Sequence, residues 1–306
     1  MDGFIVVDKP AGVTSHDVVS AVRRIAGLRK VGHTGTLDPF ATGVLPVALG
    51  EGTKAIPFLD ESVKEYRAVM RLGASTDTQD CTGTTIRQGD WQGILPAAIT
   101  TVARSFLGKG TQVPPMYSAI KRNGVPLYKL ARRGDEVPRE PREIEIHSLE
   151  IERIDLPDVA FVVRCSRGVY VRTLANDMGA ALGCGAHLVA LRRILSGPFG
   201  IEQAVTLEKL ACDASEGRLS SRLISCFSAL SHLRPLSLTE HGAARVVRGI
   251  SPELDDFQTL PDGGLRSAER VRLSLDGPLV AVAENGPFPW PGEGAKLRLL
   301  RVFNEH

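Results

Sequence analysis

The sequence predicts a mixed α+β protein, with a larger N-terminal part and a small β-rich module at its C-terminal end. Strands are predicted by period-two alternation of apolar residues, most clearly at residues 66–72. Helices are predicted by a period near 3.6, as at Val18, Val22 and Ile25. After Pro235 the pattern changes to several short strands separated by loops. This combination is typical of an α+β protein.

Bulk composition excludes several classes of protein. The chain has 306 residues, of which 43% are hydrophobic and 24% charged, as in ordinary soluble globular proteins. No apolar run approaches membrane-spanning length, and residues 1–10 lack the basic region and long apolar core of a secretory signal. The five cysteines are scattered and odd in number, so we expect a reducing, cytoplasmic setting. Cys184 and His187 form a lone C-G-A-H, which favours a buried thiol and a core or loop histidine over a metal site.

The first elements lead into a glycine-rich segment. Residues 4–7 predict a strand, which ends at the turn formed by residues 8–12. Thr14 and Asp17 then stand at capping-box spacing, ahead of the first helical pattern. That helix is followed directly by the segment at residues 30–46.

The segment at residues 30–46, KVGHTGTLDPFATGVLP, is the candidate functional loop. Its three glycines permit positive φ and close approach of another group, and Pro39 pushes Asp38 towards an extended backbone. A carboxylate on a rigid turn is well placed to meet a ligand, because loops held by a scaffold carry many catalytic groups. Composition alone nevertheless favours an ordinary polar turn, in which Asp38 and the threonines bond to nearby backbone.

The next elements alternate between predicted strands and loops. Residues 44–49 predict a strand, and residues 53–59 a short helix. Tyr66 starts the apolar face of residues 66–72, so it either belongs to the core or forms an aromatic platform at the lip of a cleft. Residues 73–83 form a polar loop, whose acidic and amide side chains suggest local capping and turn bonding more than metal binding.

A second strand-to-helix junction carries Tyr170 and Arg172. Residues 98–108 predict a helix, and residues 143–154 alternate as a strand. Residues 159–165 predict a further strand, which runs into this junction and the helix after it. Arg172 is either a surface arginine or the partner of a carboxylate across a cleft, which it would hold ionised.

Positive charge is concentrated in one block. No acidic residue lies between Asp90 and Asp135, and Tyr117 and Tyr128 are interleaved with the basic residues. This pattern is typical of a surface that binds a phosphate backbone, although a solvated basic face is an equal alternative. The basic residues of the block are Arg104, Lys109, Lys121, Arg122, Lys129, Arg132 and Arg133.

The C-terminal part predicts a small module of about 70 residues. Residues 239–247 predict a helix, and residues 255–266 are rich in loop formers. Short strands are predicted at residues 273–275, 279–283 and 296–302.

Taken together, these motifs resemble the bacterial tRNA pseudouridine-55 synthases, the TruB family. The resemblance runs in family order over most of residues 3–210, and GHTGTLDP is highly specific. The matching blocks are DKPAGVTSHDVV at 8–19, KVGHTGTLDPFATGVLPV at 30–47, KEYRAVMRLGASTDTQDCTG at 64–83, VPPMYSAIKRNGVPLYKLARRG at 113–134 and SRGVYVRTLANDMGAALGCGAHLVALRRILSGPF at 166–199.

The resemblance implies a two-domain architecture. Residues 1–235 would form a pseudouridine synthase catalytic domain, with a central, largely antiparallel sheet flanked by helices. A basic RNA-clasping insertion would lie at about residues 104–134 within it. Residues 236–306 would form a small β-rich, PUA-like RNA-binding domain, although this part resembles the family only through GPLVAVAE at 277–284 and LRVF at 300–303.

The implied activity is that of an isomerase that converts uridine-55 in the T loop of tRNA to pseudouridine. The resemblance implies neither a cofactor nor a metal, because an ionised carboxylate can attack, release and allow the base to rejoin through carbon. Whether ribose C1′ or base C6 is attacked stays open. We expect the T arm of tRNA as partner, no membrane, no obligate protein partner, a monomer, and a cytoplasmic location.

The family roles apply to this chain residue by residue. Asp38 would be the nucleophile and Arg172 its ion-pair partner. Tyr66 would stack on the target uracil, Tyr170 and Leu191 would complete the pocket wall, and His33 would fill the gap left by the extruded base. A plain core role for Leu191 is nearly as well supported. Lys9 would support the pocket, and the RNA backbone would be bound by Lys121, Arg122, Lys129, Arg132 and Arg133.

Two other activities compete with this interpretation. A non-catalytic RNA-binding or RNA-folding module on the same scaffold would predict loss of the aspartate, yet Asp38 is present. A guide-dependent isomerase acting on another RNA would be expected to carry charged terminal extensions, and we expect none here. The sequence therefore favours a protein-only tRNA enzyme.

Overall fold

A computed structural model of the chain describes residues 1–259, 264–288, 290–292 and 296–304. The strands are β1 (Gly3–Lys9), β2 (Val31–His33), β3 (Thr42–Leu49), β4 (Val63–Leu72), β5 (Ala74–Thr76), β6 (Thr85–Gln88), β7 (Gly108–Gln112), β8 (Lys121–Arg122), β9 (Val125–Pro126), β10 (Arg142–Asp155), β11 (Asp158–Ser166), β12 (Ala186–Ser196), β13 (Phe199–Gly200), β14 (Arg234–Ser237), β15 (Arg270–Ser274), β16 (Leu279–Asn285) and β17 (Leu297–Val302).

The helices lie between these strands and pack on the sheets. They are α1 (Ser15–Ala26), α2 (Gly52–Ala55), α3 (Pro96–Ser105), α4 (Leu127–Ala131), α5 (Val171–Ala181), α6 (Leu207–Ser215), α7 (Cys226–Ala229) and α8 (Glu240–Val247). Four 3₁₀ turns occur in the described part of the chain, at Ile56–Phe58, Ile201–Gln203, Leu219–Arg222 and Leu254–Asp256. Within this part, no helix is both long and apolar enough to cross a lipid bilayer.

A nine-stranded sheet forms the centre of the fold. Its main order is β1-β3-β12-β4-β11-β10-β7, with β2 beside β3 and β13 beside β12. Every pair is antiparallel except β3 and β12, which run parallel where residues 42–43 face residues 192–193. The predicted central, largely antiparallel sheet is therefore confirmed.

Local sequence signals account for several of these elements. The hydroxyl of Thr14 accepts a hydrogen bond from the Asp17 N–H (3.1 Å), and the Asp17 carboxylate accepts one from the Thr14 N–H (2.9 Å). This confirms the predicted capping box, which satisfies two N–H groups at the start of α1. In β4 the predicted alternation is also confirmed: Tyr66, Ala68, Met70 and Leu72 are buried, whereas Arg67 and Arg71 are exposed.

The two faces of the central sheet are covered by different elements. On one face, α1 and α5 bury Val18, Val22 and Met178 against sheet residues such as Met70 and Phe161. On the other face, side chains of β1, β3 and β13 share a core cluster with α7 and with the C-terminal sheet. This second cluster includes Phe4, Val6, Val44, Phe199, Cys226, Leu230, Leu279 and Phe303.

The C-terminal part is a four-stranded sheet of order β14-β15-β16-β17. Its helix α8 and its strands β15, β16 and β17 confirm the elements predicted there. The sequence does not predict β14, a short strand that contains Pro235 and pairs in parallel with β15. Phe257 and Trp290 pack edge to face in the core of this part, with ring centroids 5.1 Å apart.

The basic block begins on α3, which carries Arg104, and continues in the central sheet, where Lys109 is part of β7. Strand β7 pairs with β10, so only the residues after 112 leave the sheet. These residues form an excursion from the sheet, residues 113–141, which contains the β8–β9 pair and α4. Its two ends are tied by Arg122, which donates to the Pro138 carbonyl (2.7 Å), and by Arg139, which donates to the Pro114 carbonyl (3.1 Å).

Candidate active site

The Asp38 loop, residues 34–41, connects β2 to β3. Backbone contacts hold it on both sides of Asp38. The Ser15 hydroxyl, at the start of α1, accepts from the Leu37 N–H (2.9 Å) and donates to the Leu37 carbonyl (3.1 Å). The Gly12 N–H donates to the Pro39 carbonyl (2.8 Å). Asp38 therefore stands on a turn whose neighbouring residues are fixed to the scaffold.

Lys9 lies beneath this loop and outside the cleft that Asp38 faces. Its side chain is fully buried, and the ammonium donates to the carbonyls of Pro10 (2.9 Å), Pro39 (3.1 Å) and Ala41 (2.6 Å). Burial lowers the pKa of Lys9 to about 8, while the nearby Asp38 carboxylate opposes this shift. The contacts are those of a clamp on the loop rather than of a group that reaches a substrate.

Asp38 forms a two-point ion pair with Arg172. Nε of Arg172 lies 2.8 Å from Oδ2 of Asp38, and Nη2 donates to Oδ1 at 3.2 Å. Arg172 is buried (3% exposed), whereas the Asp38 side chain is 34% exposed, so the carboxylate is the accessible member of the pair. Arg172 also donates to the carbonyls of Thr78 (2.7 Å) and Tyr117 (2.8 Å). The guanidinium therefore has one orientation, which aligns the carboxylate.

A second carboxylate, Asp80, faces Arg172 from the polar loop after β5. Its Oδ2 lies 3.4 Å from Nη1 of Arg172, and the side chain is buried. The Thr78 hydroxyl and the Thr82 N–H also donate to it, at 2.8 and 2.9 Å. The loop thus makes the turn contacts that its composition suggests, and in addition it brings a buried carboxylate to the site.

The electrostatic environment acts on Asp38 in two directions. Desolvation raises the pKa of Asp38 above its ordinary value, the Arg172 charge acts against this increase, and the Asp80 charge adds to it. Burial also raises the pKa of Tyr66, so its phenol stays protonated at neutral pH. Burial lowers the pKa of His33, which favours a neutral imidazole.

Asp38 opens onto a cleft of about 1240 Å³. Tyr66 and Leu191 project from the neighbouring strands β4 and β12 and are almost buried, at 8% and 7% exposed. Tyr170 precedes α5, where its N–H donates to the Gln112 side chain (2.8 Å). The predicted site residues that line this cleft are His33, Asp38, Tyr66, Lys121, Arg132, Tyr170, Arg172 and Leu191.

The predicted RNA-binding cations do not all meet at this cleft. Lys121 and Arg132 line it, and the Arg132 guanidinium lies over the Tyr128 ring, 5.5 Å from its centroid. Arg122, Lys129 and Arg133 are exposed outside the lining. Cys184 and His187 are also outside the lining, and the His187 Nδ1 is 2.8 Å from the Ala74 carbonyl.

Asp80 and Arg193 are charged residues of this region that the sequence does not identify as site residues. For Asp80 the sequence predicts only local turn contacts, because its threonine neighbours explain its presence without any distant partner. Arg193 lies two positions after Leu191 on a strand with apolar inward positions. An arginine at an inward position of a strand is the signal that could have identified it.

Two family models match the chain. Residues 23–171 match the model described as TruB family pseudouridylate synthase (N terminal domain), and residues 172–231 match the tRNA pseudouridylate synthase B C-terminal domain. The matched residues include Asp38, Tyr66 and Arg172 of the cleft.

Curated relatives are similar over nearly the whole chain. A protein named tRNA pseudouridine synthase B from Geotalea uraniireducens (strain Rf4) is 64% identical over 305 residues, covering 99% of this chain and 98% of that protein. The protein of the same name from Geobacter sulfurreducens (strain ATCC 51573 / DSM 12127 / PCA) is 58% identical over 304 residues, covering 99% of this chain and 100% of that protein.

Solved structures show the same architecture. A chain of the "Crystal Structure of a Cbf5-Nop10-Gar1 Complex" has a TM-score of 0.76 and 30% identity, covering 99% of this chain and 85% of that chain. A chain of the "Structure of H/ACA RNP bound to a substrate RNA containing 2'-deoxyuridine" has a TM-score of 0.75 and 26% identity, covering 99% of this chain and 85% of that chain. With the matched models and relatives, these similarities establish that the chain belongs to the TruB family of pseudouridylate synthases.

Proposed function

We propose that this protein is a tRNA pseudouridine synthase, which isomerises uridine-55 in the T loop of tRNA. The observation that carries the proposal is the accessible Asp38 carboxylate, paired with the buried Arg172 at the bottom of a cleft large enough for a nucleotide. The names of the relatives that are 64% and 58% identical support tRNA as the substrate.

The chemistry rearranges one nucleoside without gain or loss of atoms. The bond between N1 of uracil and C1′ of ribose breaks, a bond between C5 and C1′ forms, and the proton on C5 is replaced by one on N1. Asp38 attacks either C1′ or C6, so that the base can detach, turn and rejoin. Arg172 holds the carboxylate ionised and aimed during both steps.

The cleft offers a receptor for an extruded base. Taking a base out of its stack costs a few kcal/mol, which contacts in the pocket must offset. Tyr66 stacks on the uracil, and stacking of this kind is worth about 1–3 kcal/mol. Tyr170 and Leu191 form the remaining wall. His33, whose half-buried side chain lines the cleft, occupies the gap that the extruded base leaves in the RNA loop.

The activity is tested by release of tritium from tRNA that carries 5-tritiated uridine, since the C5 proton leaves during the reaction. The purified chain should release label from an unmodified tRNA transcript, and mapping should locate pseudouridine at position 55. A transcript with cytidine at position 55 is the matched control and should be inert. Tight binding of the transcript without release of label would instead support an RNA-folding module.

The cations of the cleft bind the phosphate backbone of the T arm. K121Q/R132Q should weaken tRNA binding and reduce the slope of log K against log salt by about 1.4–1.8, because two phosphate contacts are lost. Binding measured between low and moderate salt checks this.

R122Q/R133Q is the matched comparison, because it removes the same charge from the same excursion outside the cleft lining and should therefore weaken binding less than K121Q/R132Q. Neutralising all four cations should weaken binding more than either pair alone. An unchanged salt slope in K121Q/R132Q would mean that these cations are not the RNA contact.

The pH dependence of the reaction rate should report the ionisation of Asp38. Burial raises the pKa of Asp38 and attack requires the carboxylate, so the rate should fall, as pH drops, at a pH above the ordinary aspartate range. Because the Asp80 charge adds to the raised pKa of Asp38, D80N should move this acid limb to lower pH. Single-turnover rates over about pH 4–8 at saturating tRNA measure the limb. D77N, in the same loop, is the control, and an acid limb that does not move in D80N would contradict this electrostatic coupling.

We extend the proposal to domain organisation, assembly and location. Residues 1–235 form the catalytic domain, and residues 236–306 a PUA-like domain that adds RNA contacts. The protein acts in the cytoplasm as a monomer, without an obligate protein partner. Sedimentation of the active chain tests this assembly, and a stable dimer would refute it.

A guide-dependent role is less well supported. The similar chains from the Cbf5-Nop10-Gar1 complex and the H/ACA RNP are only 30% and 26% identical to this chain.

A further inference from the structure

Arg193 carries a buried guanidinium that contacts the chain on both sides of Asp38, at the start of the Asp38 loop and in β3 just after it. The residue is fully buried on β12. Its Nε donates to the Val44 carbonyl (2.7 Å), and its Nη2 donates to the Gly35 carbonyl (2.9 Å). Gly35 precedes Asp38 by three residues and Val44 follows it by six. One rigid group therefore spans the chain on both sides of the nucleophile.

The charge of Arg193 is not explained by an ion pair. Among the described residues, no carboxylate oxygen lies within 4.0 Å of its guanidinium. Its Nη1 is buried and has no hydrogen-bond partner in the same part of the chain. Burying a charge without a counterion is costly, and an apolar side chain would fill the space at lower cost. The stability of the sheet alone does not account for an arginine at this position.

The surroundings of Gly35 show how closely the loop is held against this group. Gly35 has a φ of +64°, and a Cβ built there would lie 2.7 Å from Nζ of Lys64, 3.4 Å from Nη1 of Arg193 and 3.7 Å from Oε1 of Glu61. At the other end, a Cβ on Gly43 would lie 2.2 Å from the Arg193 carbonyl. Gly35 therefore lies in van der Waals contact with the guanidinium, whereas Gly43 meets the backbone of Arg193 through the parallel pairing of β3 and β12.

We infer that Arg193 is a positioning residue, which sets the position and orientation of Asp38 by fixing the chain on both sides of it. This inference rests on the nucleophile role proposed for Asp38. An arginine suits the task because its planar fork presents donors at fixed separations, whereas a lysine offers one compact ammonium. Lys9 clamps the centre of the loop, and Arg193 fixes the chain on both sides of Asp38.

The test uses R193K and R193Q in the full-length chain, with R67K as control. Arg67 is on the same sheet, but it is exposed and pairs with Glu152. Small misplacement of a reacting group costs up to about 100-fold in rate, so we expect the single-turnover rates of R193K and R193Q to fall by about 10- to 100-fold. The dissociation constant for tRNA should stay within about threefold, because Arg193 is outside the cleft lining and acts on the bound base only through the neighbouring Tyr66. R67K should match the wild type in both measurements.

A further variant, R193A, opens a cavity of the shape of the lost side chain. Guanidinium chloride at non-denaturing concentration should restore part of its rate, whereas an equal concentration of potassium chloride should not. Wild-type rates in R193K and R193Q would overturn the inference. A fall that only matches the fraction of unfolded protein, measured by thermal melting, would overturn it as well. An inactive wild-type chain would instead refute the proposed function, so the two failures are distinguishable.

Discussion

Replacement of Asp38 by asparagine is expected to abolish pseudouridine formation while leaving tRNA binding within about threefold of the wild type. The amide has nearly the shape of the carboxylate, but it carries no charge and is a poor nucleophile. Loss of a nucleophile lowers turnover by about 10⁴-fold or more in enzymes where this has been separated from binding. Single-turnover release of tritium at saturating enzyme measures the chemical step, and filter binding measures the affinity.

D177N is the matched control for this experiment. Asp177 is a partly buried carboxylate on α5, outside the cleft lining, and its hydrogen bond comes from Asn176 at 3.4 Å. The D177N variant should retain the reaction rate and the tRNA affinity of the wild type. A D38N rate above about one hundredth of the wild-type rate would refute the nucleophile assignment.

The second large effect is expected for R172K. Lysine keeps the positive charge, but a single ammonium cannot hold both Asp38 oxygens and also the carbonyls of Thr78 and Tyr117. The carboxylate should lose its alignment, and the two carbonyls should lose a buried donor. We expect the rate to fall by about 10²–10³-fold, as for loss of one oriented electrostatic contact in other active sites.

R71K separates this effect from the general cost of exchanging arginine for lysine. Arg71 also makes a two-point contact with a carboxylate, Asp158, but on an exposed part of β4 outside the cleft. The R71K variant should keep the wild-type rate, because exposed ion pairs contribute little to stability. If R172K bound tRNA much more weakly than wild type at an unchanged rate, Arg172 would be a binding residue and not the partner that aligns Asp38.

Elements that depend on near neighbours could be predicted from the sequence. The capping box of α1 needs only Thr14 and Asp17, which are three residues apart. The inward face of β4 follows from alternation along one strand. Such signals act over a few residues, so they can be recognised without knowledge of the rest of the chain. Strand β14 escaped prediction because it is short, contains a proline and depends on pairing with β15.

The candidate site was predictable only where a specific motif marked it. The composition of the Asp38 loop favours a polar turn, and Asp38 is a candidate through the resemblance carried by GHTGTLDP. Arg172 could be proposed as its partner on the same basis, but the two residues are 134 positions apart. Their 2.8 Å contact depends on how α5 meets the loop between β2 and β3.

The sequence by itself determined the types of those elements that have a clear local pattern, the family resemblance and the identity of the carboxylate at the centre of the site. Only the tertiary structure decided that Asp80 approaches Arg172, that Arg193 contacts the chain on both sides of Asp38, and that Lys121 and Arg132 are the two predicted RNA-binding cations that line the cleft. The physical reason is that a polar side chain gains its role from the partner it meets once it is removed from water. For these residues the partner comes from a distant strand or loop.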